Sequence, residues 1–377
     1  MRICIDARPI INKQTGLGRY TYNLINALKK VDDKNEYLIL VHSNLASTHP
    51  VFNSDNSRFQ YKKCPIPGVT VQQQYKLDYY LRTEHFDVYH YPHFDLPIAL
   101  SKKYRSVFTV HDLTYLLHRS VFRGAEYIKK FYTKQIMKLG IKFANRIITV
   151  SETTKKDLTN YFNVPQSKMV TIYEACEPIF VPINDREIIN KFKQKWNLKN
   201  PFFLFIGEKR PHKNLIRQIE AFDLFQKKTA KKFDFIIIGK SYKNYFNPEE
   251  RAKQLNLKSQ VRFLGYVEDY ELPLFYNCAE AFMFPSLYEG FGIPILESFS
   301  CGTPVITSNI SSTQEIAGGA ALLVNPYKKE QIAEAMVRII TNVNLRQNYI
   351  TKGFKQIKLF SWEIAALKTL RLYQQII

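Results

Sequence analysis

Apolar residues in this chain come in short runs separated by amphipathic stretches. Residues 2–7 (RICIDA) read as a buried strand, followed by the loop RPIINKQTGLG and a helix from Arg19 with Tyr22, Leu24, Ile25 and Leu28 on one side. Residues 37–42 (YLILVH), 86–90 (FDVYH), 106–110 (SVFTV) and 146–150 (RIITV) read as further strands, with a helical pattern over 124–145. Strand and helix alternating in this way predict a parallel sheet covered on both faces. The alternation pauses over 178–200 (PIFVPINDREIINKFKQKWNLKNP), which reads as a linker with a charged helix. A second set of strands follows at 202–206, 234–238, 261–264, 280–284 and 304–307, with 321–324 as a sixth. The expected fold class is therefore α/β, with two successive doubly wound, Rossmann-like halves over 1–178 and 179–360. A terminal helix over 361–377, with Trp362 near its start, covers the second half or crosses back to the first.

The length of 377 residues suits two domains, and 45% apolar composition gives each a core and argues against disorder. Arg2, Asp6 and Arg8 stand where a secretory signal would be apolar, and no uncharged run approaches the ~18 residues of a membrane span. Five scattered cysteines without a C-x-x-C pair fit reduced thiols of a cytoplasmic protein. The formal charge of +21 is uneven: residues 101–150 hold 11 lysines and arginines against Asp112 and Glu126. Such a block suits an anionic membrane, an acidic substrate or nucleic acid, or reflects a general lysine bias. RNA-binding signatures are absent, so a nucleic-acid partner is not expected.

Ligands of open parallel sheets bind beyond the carboxyl ends of the strands, and three loops stand there. Thr15-Gly16-Leu17-Gly18-Arg19 follows the first strand; its glycines would let backbone approach a phosphate or sugar, although an ordinary strand-to-helix turn reads the same. It lacks the third glycine of the dinucleotide fingerprint. Gly207-Glu208-Lys209-Arg210-Pro211-His212-Lys213-Asn214 gathers cations at a strand end, where they would neutralise a diphosphate or form a solvated turn. The third loop, Tyr288-Glu289-Gly290-Phe291-Gly292-Ile293-Pro294-Ile295-Leu296-Glu297, is the most specific. Pro294 fits a helix start and Gly302 its end, so bare amides near Gly292 would face a ligand oxygen. Glu289 in the loop and Glu297 in the first turn would accept hydrogen bonds from different parts of a polyhydroxylated ligand; Glu297 also suits the helix dipole.

His111, followed by Asp112, ends the strand 106–110, where it would bond a reacting sugar or a phosphate, or pair with Asp112. His90 and His93 have metal-like spacing without a third ligand, and no Asp-x-Asp pair exists to carry a divalent ion, so no metal site is expected.

Together these segments resemble glycosyltransferase family 4, the retaining group with the GT-B fold, of the kind that builds bacterial surface polysaccharides. The resemblance runs from IDARPIINKQTGLGRYTYNL through VYHYPHFDLP, FTVHDLTYLLH, NRIITVSETTKKDL, GEKRPHKNL and GYVEDYELPLFY to PSLYEGFGIPILESFSCGTPVITSN and the closing FSWE. It implies two Rossmann-like domains facing a cleft, acceptor-binding first and donor-binding second, with the terminal helix packing back on the first. It implies that Glu289 holds donor-sugar hydroxyls and Glu297 the ribose. Gly290, Phe291, Gly292 and Ile293 would line the sugar and diphosphate, the last three through their amides. Arg210 and Lys213 would neutralise the diphosphate, Gly16 would face it, and Val267, Glu268 and Asp269 would stand at the base. His111 would lie near the reacting carbon. Glu208 departs from a position that is basic in some members, which leaves open whether Lys209 or Arg210 meets the phosphate.

The resemblance further implies a hexosyltransferase without cofactor or metal, acting by front-face attack with the leaving phosphate taking the acceptor's proton. The donor favoured is GDP-mannose, with a UDP-sugar as runner-up. The acceptor is a saccharide, expected to be lipid-linked. Lys130, Lys134, Lys138 and Lys142 recur every four residues over 124–145, near Tyr127, Phe131 and Tyr132. They would rest that helix on an anionic leaflet at the inner face of the plasma membrane, or form a solvated face. A UDP-sugar-dependent glucosyl- or N-acetylhexosaminyltransferase with a soluble acceptor, and a more distant NAD-dependent oxidoreductase, are the alternatives.

Overall fold

A computed structural model of the chain describes residues 1–12, 15–53, 56–68, 70–117, 126–240 and 247–377, with side chains from residue 130 onward in the helix that opens at 126. The described residues divide into two compact units. The first comprises 1–117, 126–174 and 361–377, and the second 175–360. The division falls between Glu174 and Ala175, a few residues ahead of 178.

The first unit is built on seven parallel strands: β1 (Arg2–Asp6), β2 (Glu36–His42), β3 (Phe59–Cys64), β4 (Val88–Tyr91), β5 (Arg105–Val110), β6 (Arg146–Thr149) and β7 (Met169–Thr171). Their order is β3-β2-β1-β4-β5-β6-β7, so the winding reverses between β1 and β4. Strands β3 and β7 are additions to the sequence reading. Both are edges: β3 carries a partly exposed Lys62 and an exposed Lys63, and β7 has three residues, so neither forms the apolar run that marks an interior strand. The unit also holds α1 (Gly16–Val31), α2 (Gln73–Tyr80), α3 (Ile98–Lys103), α4 (Thr114–Leu117), α5 (Glu126–Phe143) and α6 (Glu152–Phe162). One core joins Leu38, Tyr89, Tyr91, Phe108, Met137 and Ile147.

Helix α1 opens at Gly16, three residues ahead of Arg19, because the Thr15 hydroxyl accepts from the Gly18 amide and caps it. No heavy atom lies within 4 Å of where a Cβ on Gly16 would stand.

The second unit has six parallel strands: β8 (Phe202–Ile206), β9 (Asp234–Ile238), β10 (Val261–Gly265), β11 (Ala281–Phe284), β12 (Val305–Ser308) and β13 (Leu322–Val324). Their order, β10-β9-β8-β11-β12-β13, reverses between β8 and β11. Helices α7 (Arg186–Lys195), α8 (Leu215–Lys227), α9 (Pro248–Gln254), α10 (Leu272–Cys278), α11 (Ile293–Ser300), α12 (Ser311–Ala317), α13 (Lys329–Thr341) and α14 (Val343–Gln356) belong to it. The stretch read as a linker thus carries α7, which buries Phe192 edge-on to Phe275 at 4.8 Å. Phenylalanines dominate the core, with Phe203, Phe205, Phe222, Phe225, Phe235 and Phe282 all fully buried. β8 and β9 leave the sheet so close together that a Cβ on Gly239 would stand 1.9 Å from the Gly207 carbonyl oxygen, which admits only glycine there.

The terminal helix α15 (Trp362–Gln374) is part of the first unit and packs along α1. Tyr373 bonds His90 at 2.6 Å, and Trp362 meets Tyr20 edge-on at 5.7 Å. Its Trp362, Ala365, Ala366, Thr369, Leu370 and Tyr373 are buried at helical spacing, which accounts for its docking.

Candidate functional site

In the second unit the loops after β8 and β11 stand side by side at the reversal of strand order, where a parallel sheet opens its binding crevice. The loop after β8 makes a short turn over Pro211–Lys213 and leaves it at Asn214, which is left-handed (φ 62°). The Asn214 side-chain Nδ2 donates to the carbonyls of Pro285 and Pro326, at 3.0 and 2.7 Å, and the Leu287 backbone amide donates to the His212 carbonyl at 2.7 Å. The two loops are thereby stitched together.

That stitching brings Lys213 to Glu289. The ammonium donates to both carboxylate oxygens at 2.8 Å and lies 4.9 Å from the centre of the Phe284 ring. Both side chains are largely buried, so the pair is screened little by solvent. Arg210 donates to its neighbour Glu208 at 2.7 Å. Lys209 differs: its side chain is only 4% exposed, its ammonium reaches Glu249 at 2.7 Å, and it packs over the Phe263 ring. Of the two cations left open by the sequence, Arg210 is thus the more accessible.

The backbone of Glu289 to Phe291 is fixed by two serines that sequence reasoning passed over. Ser311 Oγ accepts from the Glu289 amide at 3.1 Å and donates to its carbonyl at 2.8 Å; Ser312 Oγ reaches the carbonyls of Glu289 and Phe291, each at 2.8 Å. Ser312 and Glu315 have the spacing of a helix-capping box, a signal of local structure only. Here the hydroxyls serve a loop 22 residues away in sequence, as the Ser311–Glu289 pairing shows.

Gly292 precedes α11 at φ 114° and no side chain caps that helix, so its first amides are not closed by a cap. Gly302 follows the helix at φ 73°. Glu297 is the fifth residue of α11 and not in its first turn, which removes the dipole explanation. It is buried and accepts from Tyr276 at 2.8 Å. Val267 is buried in the loop after β10, Glu268 accepts from Tyr266 at 3.3 Å, and Asp269 begins a short turn.

In the first unit His111 stands at the carboxyl end of β5. It pairs with Glu174 and not with Asp112, which caps Thr114. His111 Nδ1 lies 2.9 Å from Glu174 Oε1 and Nε2 3.0 Å from the Pro92 carbonyl oxygen; the ring meets Tyr20 edge-on at 4.6 Å. Burial works to lower its pKa, but the Glu174 carboxylate and the Pro92 carbonyl outweigh it and raise His111 above the ordinary histidine value. Glu174 carried no signal in the sequence, because it is far from His111 along the chain. His90 and His93, the pair with metal-like spacing, go separate ways. His90 faces Tyr373 and Thr109 in the core, where burial lowers its pKa to about 3, and His93 bonds Asp95.

Helix α5 buries Ile136 and Met137 and exposes Phe131 (66%), Leu139 (41%), Lys138 and Lys142. Lys134 folds back over Tyr161 at 5.4 Å. Residues 124–125 and the side chain of Tyr127 lie outside the described residues.

Two parallel-sheet, Rossmann-like domains, the second with a cation–carboxylate pair in the loops at its reversal of strand order, are the architecture of a GT-B glycosyltransferase. Comparison with known proteins agrees. Residues 14–178 match Glycosyltransferase Family 4 and residues 186–356 match Glycosyl transferases group 1, and the chain belongs to this family of glycosyltransferases. It is 28% identical to an O-antigen chain mannosyltransferase B of Escherichia coli, over 99% of this chain and 100% of that one. It is 32% identical to an O-antigen chain mannosyltransferase of Salmonella typhimurium, over 61% of this chain and 60% of the relative. Among solved structures, a sucrose-phosphate synthase from Thermosynechococcus elongatus shares the fold with TM-score 0.77 at 18% identity, covering 100% of this chain and 98% of its own. Family membership sets aside the oxidoreductase alternative.

Proposed function

We propose that the chain transfers mannose from GDP-mannose to a lipid-linked saccharide during assembly of a surface polysaccharide. The observation that carries the reading is the Lys213–Glu289 pair at the β8/β11 reversal, beside the open amides at the start of α11. The mannosyltransferase relatives support the choice of sugar.

On this reading Glu289 takes the hydroxyls of the donor sugar. Lys213 and Arg210 neutralise the diphosphate and stabilise it as it leaves, which fixed cations do best in a site that excludes water. The amides of Phe291, Gly292 and Ile293 bind sugar and phosphate oxygens, and Gly16 leaves the opening turn of α1 bare for a phosphate. Glu297 takes the ribose, with Tyr276 setting its carboxylate. Val267, Glu268 and Asp269 meet the base. Lys209 shapes the loop from behind through Glu249. Both oxygens of Glu289 are occupied by Lys213, which speaks against Glu289 as a covalent nucleophile and favours front-face attack with the leaving phosphate as base. The cations need no metal to assist them.

Membrane attachment rests on a different observation. Phe131 and Leu139 stand exposed among the lysines of α5, and Tyr75 and Tyr79 of α2 are exposed with Val71 just ahead of it, near Lys76 and Arg82 in sequence. Apolar anchors within a basic surface suit an anionic leaflet. Among the described residues no helix is long and apolar enough to cross a membrane, and attachment would be peripheral, at the cytoplasmic face.

A thermal-shift panel of sugar nucleotides tests the donor. GDP-mannose should raise the melting temperature more than UDP-glucose or UDP-N-acetylglucosamine; the reverse order would shift the assignment to the UDP-sugar alternative.

A further inference from the structure

His111 and Glu174 come from opposite ends of the first unit's chemistry. His111 follows β5, and Glu174 is the last residue of the unit before Ala175 opens the second. Their 2.9 Å contact is one of two that fix the imidazole, the other being Nε2 to the Pro92 carbonyl at 3.0 Å. A carbonyl oxygen only accepts, and so does an ionised carboxylate. Both ring nitrogens must therefore carry a proton to satisfy both partners, and the ring is an imidazolium without a lone pair to offer.

The remaining neighbours agree. Tyr20, from α1, stands with its ring perpendicular to the imidazole and has its hydroxyl on Thr109 at 3.2 Å. His90, from β4, bonds Tyr373 and Thr109 and stays neutral. Asp112, next in sequence, adds a second negative charge. Glu174 itself is buried, so its charge is screened little.

We infer that Glu174 is a positioning residue that holds His111 as an imidazolium at neutral pH, so that His111 serves the transfer as a fixed charge and not as a proton acceptor. The inference deepens the proposed function and rests on the glycosyl-transfer reading. A fixed cation beyond the carboxyl end of β5 assists departure of an anionic leaving group, and a group already doubly protonated leaves the acceptor's proton to the departing phosphate.

The test uses the full chain labelled with 15N-histidine, with His111 assigned through His111→Gln. At pH 7 both His111 nitrogens should show imidazolium shifts. Glu174→Gln keeps an acceptor but removes the charge, and should lower the His111 titration midpoint by about one pH unit or more; Glu174→Asp, which keeps the charge, should restore it. In transfer from GDP-mannose, Glu174→Gln should lower kcat about tenfold, with donor KM within about threefold, and move the basic limb of the pH profile down in step with His111. A neutral His111 in the wild type at pH 7, or a Glu174→Gln variant whose titration is unmoved, would overturn the inference. Absence of transfer from GDP-mannose in the wild type contradicts the donor assignment alone, because the nitrogen shifts still decide for or against Glu174.

Discussion

Lys213 and Glu289 illustrate how much of a site one residue pair can carry. Each is largely buried, and each has the other as its charge partner at 2.8 Å. Replacing Lys213 by alanine leaves a carboxylate with little water and no cation, a loss of about 1–3 kcal/mol in stability. On the proposed function the same change removes a diphosphate contact, so transfer should fall about 100-fold or more; urea melts and initial rates measure the two effects separately. His111 adds a pH dependence. Its folded pKa lies above the unfolded value of about 6.5, so its stabilising contribution is fully present below that value and is lost as pH rises through the raised one. Wild type should therefore lose stability over Glu174→Gln across that window, measured by urea melts from pH 6 to 9. Glu289 stands out in the sequence because no local structural role competes for it, and the structure adds its partner Lys213. Glu174, Tyr276 and Ser312 do not stand out, since each acts on a residue that the chain reaches only by folding.

At the scale of elements, the site is a pair of loops held by backbone and hydroxyls. Gly292 sits at φ 114°, where a side chain is strained whatever the space, and an added Cβ would come within 3.3 Å of Ile295. Gly292→Ala should cost about 1 kcal/mol or more and weaken donor binding by tilting the first amides of α11; calorimetric titration with GDP-mannose measures it. Ser312→Ala leaves the carbonyls of Glu289 and Phe291 with one donor fewer, and should raise donor KM several-fold while lowering stability by about 1–3 kcal/mol. The strands that hold these loops were readable because both faces of a parallel interior strand are apolar. The edge strands β3 and β7 were not, for they mix lysines with apolar residues or are too short to form a pattern. Helix α11 was placed correctly at both ends by its glycines and Pro294, while Glu297 moved from the first turn to the second.

For the whole molecule, charge is the property the fold explains least. The sequence carries an excess of +21, and on α5 Lys138 and Lys142 are exposed beside Phe131 and Leu139. If a leaflet is the partner, Lys138→Glu with Lys142→Glu should reduce co-sedimentation with phosphatidylglycerol vesicles at low salt, and salt should reduce wild-type binding in the same way; no wild-type binding at low salt would refute the membrane reading. The central claim concerns the reaction itself. Transfer of labelled mannose from GDP-mannose to a mannose-terminated acceptor should be abolished by Glu289→Ala in a protein whose circular dichroism matches wild type; turnover equal to wild type in that variant would contradict the assignment of the site.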